Sequence, residues 1–177
     1  MIIKDKIFKP FITESELDGI VHRLAGEVSR DYSGSQLVAC PVLTGAYMFA
    51  SDLLRRLTVP CEVHFVRYAS YSGLASSGEV RCELPFTAAM VTGRDILLVE
   101  DVVDSGLSMQ IMLHEVRALK PRSVRVCALF YKPQAFKGDY QVDYIGREIG
   151  NEFIVGYGMD YDEQGRTLPE IYVIDEQ

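Results

Sequence analysis

The segment around residue 100 constrains the fold most strongly. Four aliphatic residues, Ile96 to Val99, run directly into Glu100 and Asp101, and two valines later the chain reads Asp104-Ser105-Gly106-Leu107-Ser108. A short, wholly aliphatic run is typical of a strand buried on both faces, and such strands belong to parallel sheets covered by helices. Ligands of these sheets bind beyond the carboxyl ends of the strands. The segment therefore predicts a buried parallel strand that leads into a polar binding site.

The rest of the chain alternates between apolar runs and helical patterns. Thr13 and Glu16 have capping-box spacing, and apolar residues recur at helical intervals from Leu17 to Val28. Further helices are predicted over 46–57 and 105–119, and strands over 37–43, 62–67, 96–99, 124–130 and 171–174. Pro41 interrupts the donors of the first of these strands.

This alternation predicts an α/β fold, a mostly parallel twisted sheet flanked by helices, with a small cap or hood from the two chain ends. The sequence contains no internal repeat or linker. We therefore expect residues 1–177 to form one domain, with its core at about 35–132.

The composition excludes several classes of protein. The net charge is −7 over 177 residues, whereas non-specific nucleic-acid binding normally needs a basic surface. The four cysteines have no CxxC spacing and three lie in apolar runs, so we expect buried thiols without disulfides. The three histidines are dispersed, without metal-ligand spacing, and we expect them to be structural. No segment resembles a secretory signal or approaches the roughly 20 apolar residues of a membrane span. We expect a cytoplasmic protein that binds neither nucleic acid nor membrane.

Residues 104–108 have the chemistry of a phosphate site. Backbone N–H groups at a helix start, beside a glycine and two serine hydroxyls, bind anions. Asp104 or Ser105 alone could be an ordinary N-cap. The acids Glu100 and Asp101 would repel a phosphate unless sugar hydroxyls or a magnesium ion engaged them. The whole string therefore predicts a ribose 5-phosphate site with Mg²⁺.

This string resembles the phosphoribosyl pyrophosphate signature of type I phosphoribosyltransferases, and residues 37–174 are similar to the hypoxanthine–guanine branch. The resemblance implies a purine salvage enzyme that transfers the phosphoribosyl group to hypoxanthine, guanine or both, with Mg²⁺, as a homodimer or homotetramer. Asp104 is then the catalytic base near N7 of the purine. The implied phosphoribosyl pyrophosphate ligands are Glu100, Asp101, Asp104, Ser105, Gly106, Leu107, Ser108, Thr44, Gly45, Ser70, Tyr71 and Arg166. Leu107 and Thr44 stand where many family members carry Lys.

The resemblance also implies the residues that bind the purine. Lys132 would donate to the exocyclic 6-oxygen, Phe153 would stack on the ring, and the Ile154 backbone would bond its edge. Asp160 would contact metal, water or an exocyclic amine, and the implied metal ligands are Glu100, Asp101 and Asp160. Considered alone, Lys132 could be a surface charge and Phe153 a core residue.

Residues 72–92 show no clear period and are rich in Ser, Gly and Ala. We expect them to form a lid that excludes water from the reacting sugar, with plain surface disorder as the alternative. Two alternatives to the function stay open. The base could be xanthine or another nucleobase, or the chain could be a non-catalytic regulator on the same fold, similar to the RNA-binding attenuators of pyrimidine operons.

Overall fold

The computed structural model describes residues 1–70 and 80–175. The strands are β1 Ile2–Ile3, β2 Lys6–Ile12, β3 Leu37–Leu43, β4 Cys61–Val63, β5 Val66–Ser70, β6 Val80–Leu84, β7 Asp95–Val103, β8 Ser123–Tyr131, β9 Tyr144–Glu148, β10 Ile154–Val155 and β11 Ile171–Ile174. The helices are α1 Glu14–Asp31, α2 Tyr47–Leu54, α3 Ala88–Val91 and α4 Leu107–Ala118. None of these helices is long and apolar enough to cross a membrane.

The main sheet has the strand order β6-β5-β3-β7-β8-β9, and β4 also pairs with β3. All its pairings are parallel except that of β5 with β6. Side chains of β7 alternate between two cores: Leu97 and Val99 pack with α1 and α2, whereas Ile96 and Leu98 pack with α3 and α4. The strand is thus buried on both faces, which explains its continuous aliphatic run. The predicted α/β fold is confirmed.

The first two and last two strands form a second sheet in the order β1-β2-β11-β10, with antiparallel pairing throughout. We call it the hood. Phe8 on β2 is buried with Ile3 and Val155, so the hood has a small core of its own. The predicted capping box is present at the start of α1, where Glu16 N donates to Thr13 Oγ1 at 3.3 Å and Thr13 N donates to Glu16 Oε2 at 2.9 Å.

The segments 62–67 and 72–92 differ from their predicted structure. The strand predicted over 62–67 is two short strands, β4 and β5, which both pair with β3. Pro41 of β3 is paired with Val99 of β7, but it is paired with no residue of β4 or β5. The proline therefore lies where β3 passes from one partner to the next, so its missing donor leaves no ladder bond unmade. The prediction that 72–92 lacks regular structure is wrong for its second part. There β6 and α3 form, and Phe86 and Met90 are buried.

The Asp95 carboxylate joins the start of β7 to the start of β8 by hydrogen bonds. Arg122 Nε donates to Asp95 Oδ1 at 2.9 Å and Ser123 Oγ donates to the same atom at 2.7 Å. These bonds, with that of Arg122 foremost, lower the pKa of Asp95 from its ordinary 3.8. A depressed carboxyl pKa stabilises the folded state above the pKa of the unfolded chain, and the stabilisation is lost as pH falls through the folded value.

We expect Asp95→Asn to lower the free energy of unfolding at pH 7 by about 1–3 kcal/mol, because a buried charge-assisted bond is lost. The difference between the two proteins should begin to shrink below about pH 4, where the Asp95 carboxyl of the unfolded chain takes up a proton, and should be lost once the pH has fallen through the lowered pKa of the folded protein. Urea unfolding at pH 7 and at low pH measures both effects. Asp18→Asn is the control, since Asp18 is 62% exposed and its ion pair with Arg56 lies at the surface. Equal stability of Asp95→Asn and wild type at pH 7 would contradict this account.

Candidate active site

The acids of the signature lie on β7 itself. The strand was predicted to end at Val99, but it continues through Glu100 and Asp101 to Val103 and stays paired with β8 as far as Tyr131. The longer strand fixes the backbone of both acids, and Val102 N donates to Asp101 Oδ1 at 2.9 Å. The two carboxylates are therefore held by the sheet and not by a loop.

Glu100 and Asp101 form a desolvated acidic pair. Burial, followed by the charge of Asp101, raises the pKa of Glu100 well above its usual value. Burial also raises the pKa of Asp101, and the nearby positive charge of Arg166 opposes this rise. Two neighbouring carboxyls in a poorly solvated place favour a ligand that donates hydrogen bonds or carries positive charge.

The turn after β7 forms a small cleft at the start of α4. Gly106 is the N-cap of α4 in the left-handed conformation (φ 76°) and has no side chain with which to cap the helix, while Leu107 N donates to Ser105 Oγ at 3.5 Å. The cleft has a volume of about 120 Å³ and is lined by Glu100, Val102, Val103, Asp104, Ser105, Gly106, Ser108 and Met109. Free N–H groups at a helix start and serine hydroxyls meet there, which is an anion-binding geometry. The Leu107 side chain does not line this cleft and is 51% exposed.

The predicted catalytic base, Asp104, meets one of the predicted purine-binding residues, Lys132, at this cleft. Lys132 follows β8, and its Nζ lies 2.9 Å from Asp104 Oδ2. The lysine is buried whereas the Asp104 side chain is 55% exposed. Lys132 N also donates to Val103 O at 3.0 Å, which fixes the two segments to each other. A buried ammonium is thus aimed at the mouth of the cleft with one carboxylate as its partner.

A second turn approaches the acids from β3. Thr44 and Gly45 join β3 to α2, which has no side-chain cap at its start, and the Leu43–Thr44 peptide bond is cis. A Cβ on Gly45 would collide with the Asp101 carboxylate, and one on Gly158 would collide with Gly45 O. Only glycine lets these three backbone segments approach so closely. The turn at Gly45 is thereby in contact with both the acid strand and the segment that follows β10.

The segment 153–166 supplies an aromatic ring and a cation. Phe153 is 44% exposed and lies edge-on to Tyr161, with ring centroids 5.8 Å apart. Ile154 is buried and begins β10. Arg166 Nη1 donates to Gly158 O at 2.9 Å, and its Nη2 lies 2.8 Å from Asp160 Oδ1. The guanidinium is thus held beside the turn at Gly45.

The Ser70 side chain and the whole of Tyr71 lie outside the described part of the structure, although the backbone of Ser70 ends β5. Within residues 1–70 and 80–175, no group of three or more His, Cys, Asp or Glu is placed to hold a metal ion. The three predicted metal ligands do not form one such group: Glu100 and Asp101 are adjacent on β7, and Asp160 is ion-paired with Arg166. Two larger clefts, of about 560 and 630 Å³, contain none of the predicted residues.

Sequence analysis missed the residues behind Gly106. A Cβ on Gly106 would lie 2.8 Å from Phe136 Cδ2 and 2.9 Å from the Tyr140 hydroxyl. Both rings belong to the segment after Lys132, and Lys137 N in that segment donates to Ser105 O at 2.9 Å. Nothing in the local sequence of Phe136 or Tyr140 indicates this contact, because it joins segments about thirty residues apart.

Gly106→Ala should destabilise the protein and weaken anion binding in the cleft. Alanine would be strained at positive φ, by about 1 kcal/mol, and would also displace the two rings. Gly93→Ala is a matched control, since Gly93 has a similar φ of 71° but open space around it. Thermal melts with and without ribose 5-phosphate separate the two effects. Equal losses in both variants, with ribose 5-phosphate still stabilising Gly106→Ala, would show that the rings are not a constraint.

Comparison with known proteins agrees with this geometry. Residues 14–162 match the family model described as the phosphoribosyl transferase domain. The chain is 39% identical over 171 residues to the hypoxanthine-guanine phosphoribosyltransferase of Mycobacterium tuberculosis strain H37Rv, covering 93% of this chain and 84% of the relative. It is 36% identical over 174 residues to the enzyme of that name from Bacillus subtilis strain 168, covering 98% and 96%. A crystal structure of a hypoxanthine-guanine phosphoribosyltransferase from Bacillus anthracis has a TM-score of 0.88 at 32% identity and covers 97% of this chain and 100% of that chain.

The chain therefore belongs to the phosphoribosyltransferase family. The similar proteins named above are all members of its hypoxanthine–guanine branch. The predicted family is confirmed.

Proposed function

We propose that the protein is a hypoxanthine–guanine phosphoribosyltransferase. It transfers the 5-phosphoribosyl group of phosphoribosyl pyrophosphate to N9 of hypoxanthine or guanine, giving IMP or GMP and pyrophosphate. The observation that carries the proposal is the junction at the end of β7. There the acid pair leads into a helix-start cleft, and the buried Lys132 is aimed at the mouth of that cleft. The names of the relatives support the same purine salvage function.

The cleft at 104–108 binds the 5-phosphate of the sugar. Its backbone donors and the hydroxyls of Ser105 and Ser108 match phosphate oxygens. Glu100 and Asp101 accept hydrogen bonds from the 2′- and 3′-hydroxyls of the ribose, which satisfies carboxylates that are otherwise poorly solvated. Leu107 contributes its backbone only, since its side chain is exposed.

The pyrophosphate lies between the turn at Thr44 and Gly45 and the guanidinium of Arg166, whose planar donors suit phosphate oxygens. The pair Glu100 and Asp101 fits Mg²⁺, which is commonly held by one or two carboxylates plus substrate oxygens. Burial raises the pKa of both carboxyls, and a bound cation would offset the cost of keeping them ionised there. When bound, the ion would neutralise charge on the leaving group.

The purine lies between Phe153 and Lys132. The exposed ring of Phe153 provides a stacking surface, and the Lys132 ammonium donates to the 6-oxygen. The backbone of Ile154 bonds the edge of the base, and Asp160 contacts water or an exocyclic amine. In the free protein the Lys132 ammonium donates to the Asp104 carboxylate. When the purine binds, the same ammonium donates to the 6-oxygen as well, and the Asp104 carboxylate faces N7.

Catalysis rests mainly on electrostatics. Positive charge that develops at C1′ is stabilised by the nearby carboxylates, and negative charge on the departing pyrophosphate is stabilised by Arg166 and the helix starts. Removal of the base proton by Asp104 is the smaller contribution. Residues 1–177 act as one phosphoribosyltransferase domain, in the cytoplasm, and assemble as a homodimer or homotetramer.

The direct test is an assay with phosphoribosyl pyrophosphate, Mg²⁺ and each of hypoxanthine, guanine, xanthine, adenine and uracil. We expect nucleotide and pyrophosphate in equal amounts with hypoxanthine or guanine. Omission of the metal should abolish turnover. Product from uracil or adenine alone, or from no base, would contradict the proposal, and salt-sensitive RNA binding without turnover would favour a regulator instead.

A further inference from the structure

The hydroxyl of Tyr140 is buried and has no hydrogen-bond partner among the residues that the structure describes. A phenolic hydroxyl is both a donor and an acceptor. Buried polar groups in folded proteins are nearly always paired, because an unpaired one costs folding free energy. The exception therefore requires an explanation.

The Tyr140 ring lies directly behind the phosphate cleft. Its hydroxyl oxygen is 2.9 Å from the place that a Cβ on Gly106 would occupy. The ring packs edge-on against Phe136, with centroids 5.1 Å apart, and Phe136 packs against Tyr131 at 5.3 Å. These edge-on ring contacts hold the Tyr140 hydroxyl against Gly106, the N-cap residue of α4.

Backbone contacts tie the Tyr140 segment to the cleft. Lys137 N donates to Ser105 O at 2.9 Å, and Asp139 N donates to Gln110 Oε1 at 3.2 Å on α4. Glu100 lines the same cleft as Gly106, against which Tyr140 is packed, and its charge, after burial, helps to raise the pKa of Tyr140. An acidic side chain of the site therefore lies near the hydroxyl without accepting a bond from it.

We propose that Tyr140 is a positioning residue for phosphoribosyl pyrophosphate. Its hydroxyl is unpaired in the free protein and gains the Glu100 carboxylate as an acceptor when the substrate occupies the cleft. The bond then holds Glu100 against the ribose and Gly106 against the phosphate. This inference rests on the proposed function, because it assigns the substrate of the cleft. It also explains why an unpaired hydroxyl is kept, since its partner becomes available only in the complex.

Tyr140→Phe isolates the hydroxyl, because the ring and its contacts remain. In the free protein we expect the melting temperature to rise by about 2–4 °C, as an unpaired buried group is removed. In the enzyme assay we expect KM for phosphoribosyl pyrophosphate to rise about tenfold, the loss typical of one hydrogen bond to a charged group. The KM for hypoxanthine should change less than about twofold, because that base binds on the other side of the cleft.

The chain offers a matched control in Tyr32, whose hydroxyl is also buried without a partner. Ser123 is close enough to influence the pKa of Tyr32, but it donates its hydroxyl to Asp95 instead. Tyr32 lies at the end of α1, beneath the Arg125 guanidinium and away from the cleft. Tyr32→Phe should raise the melting temperature in the same way and leave both KM values unchanged.

The outcomes are distinguishable. A lower melting temperature of Tyr140→Phe would mean that the hydroxyl has a partner in the free protein, and would overturn the inference. An unchanged KM for phosphoribosyl pyrophosphate would overturn it equally. If the wild-type protein were neither stabilised by phosphoribosyl pyrophosphate nor active, the proposed function itself would be wrong. The inference about Tyr140, which depends on that function, would then be wrong as well.

Discussion

Adenine should be used at least about 10⁴-fold less efficiently than hypoxanthine, measured as kcat/KM, because sites built around one hydrogen bond reject an analogue that cannot make it. Hypoxanthine and guanine present an acceptor oxygen at C6, which the donor-only ammonium of Lys132 can meet. Adenine presents an amine there. Two donors would face each other, and a lysine that is only 8% exposed would lose a partner.

Lys132→Ala tests the same contact from the side of the protein. We expect kcat/KM for hypoxanthine and guanine to fall about 10²-fold, as a hydrogen bond to a charged group is lost. The KM for phosphoribosyl pyrophosphate should not improve, since the phosphate cleft is formed by other residues. Lys120→Ala, at an exposed site beyond α4, is the control. Adenine turnover near that of hypoxanthine in wild type would exclude this assignment of Lys132.

The second large effect should come from the acid pair on β7. Glu100→Gln and Asp101→Asn should each lower kcat/KM for phosphoribosyl pyrophosphate by about 10²–10³, because charge near the developing cation at C1′ is removed. The fold should survive, since each change is isosteric. Replacing one of two neighbouring desolvated carboxyls by a neutral amide also relieves their repulsion.

Circular dichroism and thermal melts check the folded state of these variants, and initial rates with varied phosphoribosyl pyrophosphate check the function. Glu148→Gln, at an exposed position on β9, is the matched control for a lost carboxylate. If both site variants turned over substrate like wild type, Glu100 and Asp101 would have no role in holding the ribose. A loss confined to KM for the base would place them elsewhere in the site.

Local patterns account for much of what could be predicted. The run Ile96–Val99 predicts a strand buried on both faces, and the spacing of Thr13 and Glu16 predicts the start of a helix; both are present in the structure. Each pattern depends on neighbours within a few residues, so the sequence carries it directly. Asp104 and Lys132 both follow strands that end at the same edge of a parallel sheet, which explains why they meet.

Contacts between distant segments could not be predicted in this way. The approach of Gly158 to Gly45, and of Tyr140 to Gly106, depends on how the hood and the segment after β8 pack against the sheet. The burial of Phe86 and Met90 was missed for a similar reason. Their segment has no period of its own, and it is packed against α4 and the sheet.

The position of β11 has a consequence for how the protein is made. It is the last strand in chain order, yet it lies inside the hood, with β2 on one side and β10 on the other. On the ribosome, every strand of the parallel sheet is released before β11 emerges. The residues of the phosphate cleft are thus made before the strand that pairs with β10, next to Phe153. A truncation just before Ile171 would therefore leave a chain that retains the residues of the sugar side of the site and lacks the strand that supports the side that selects the base.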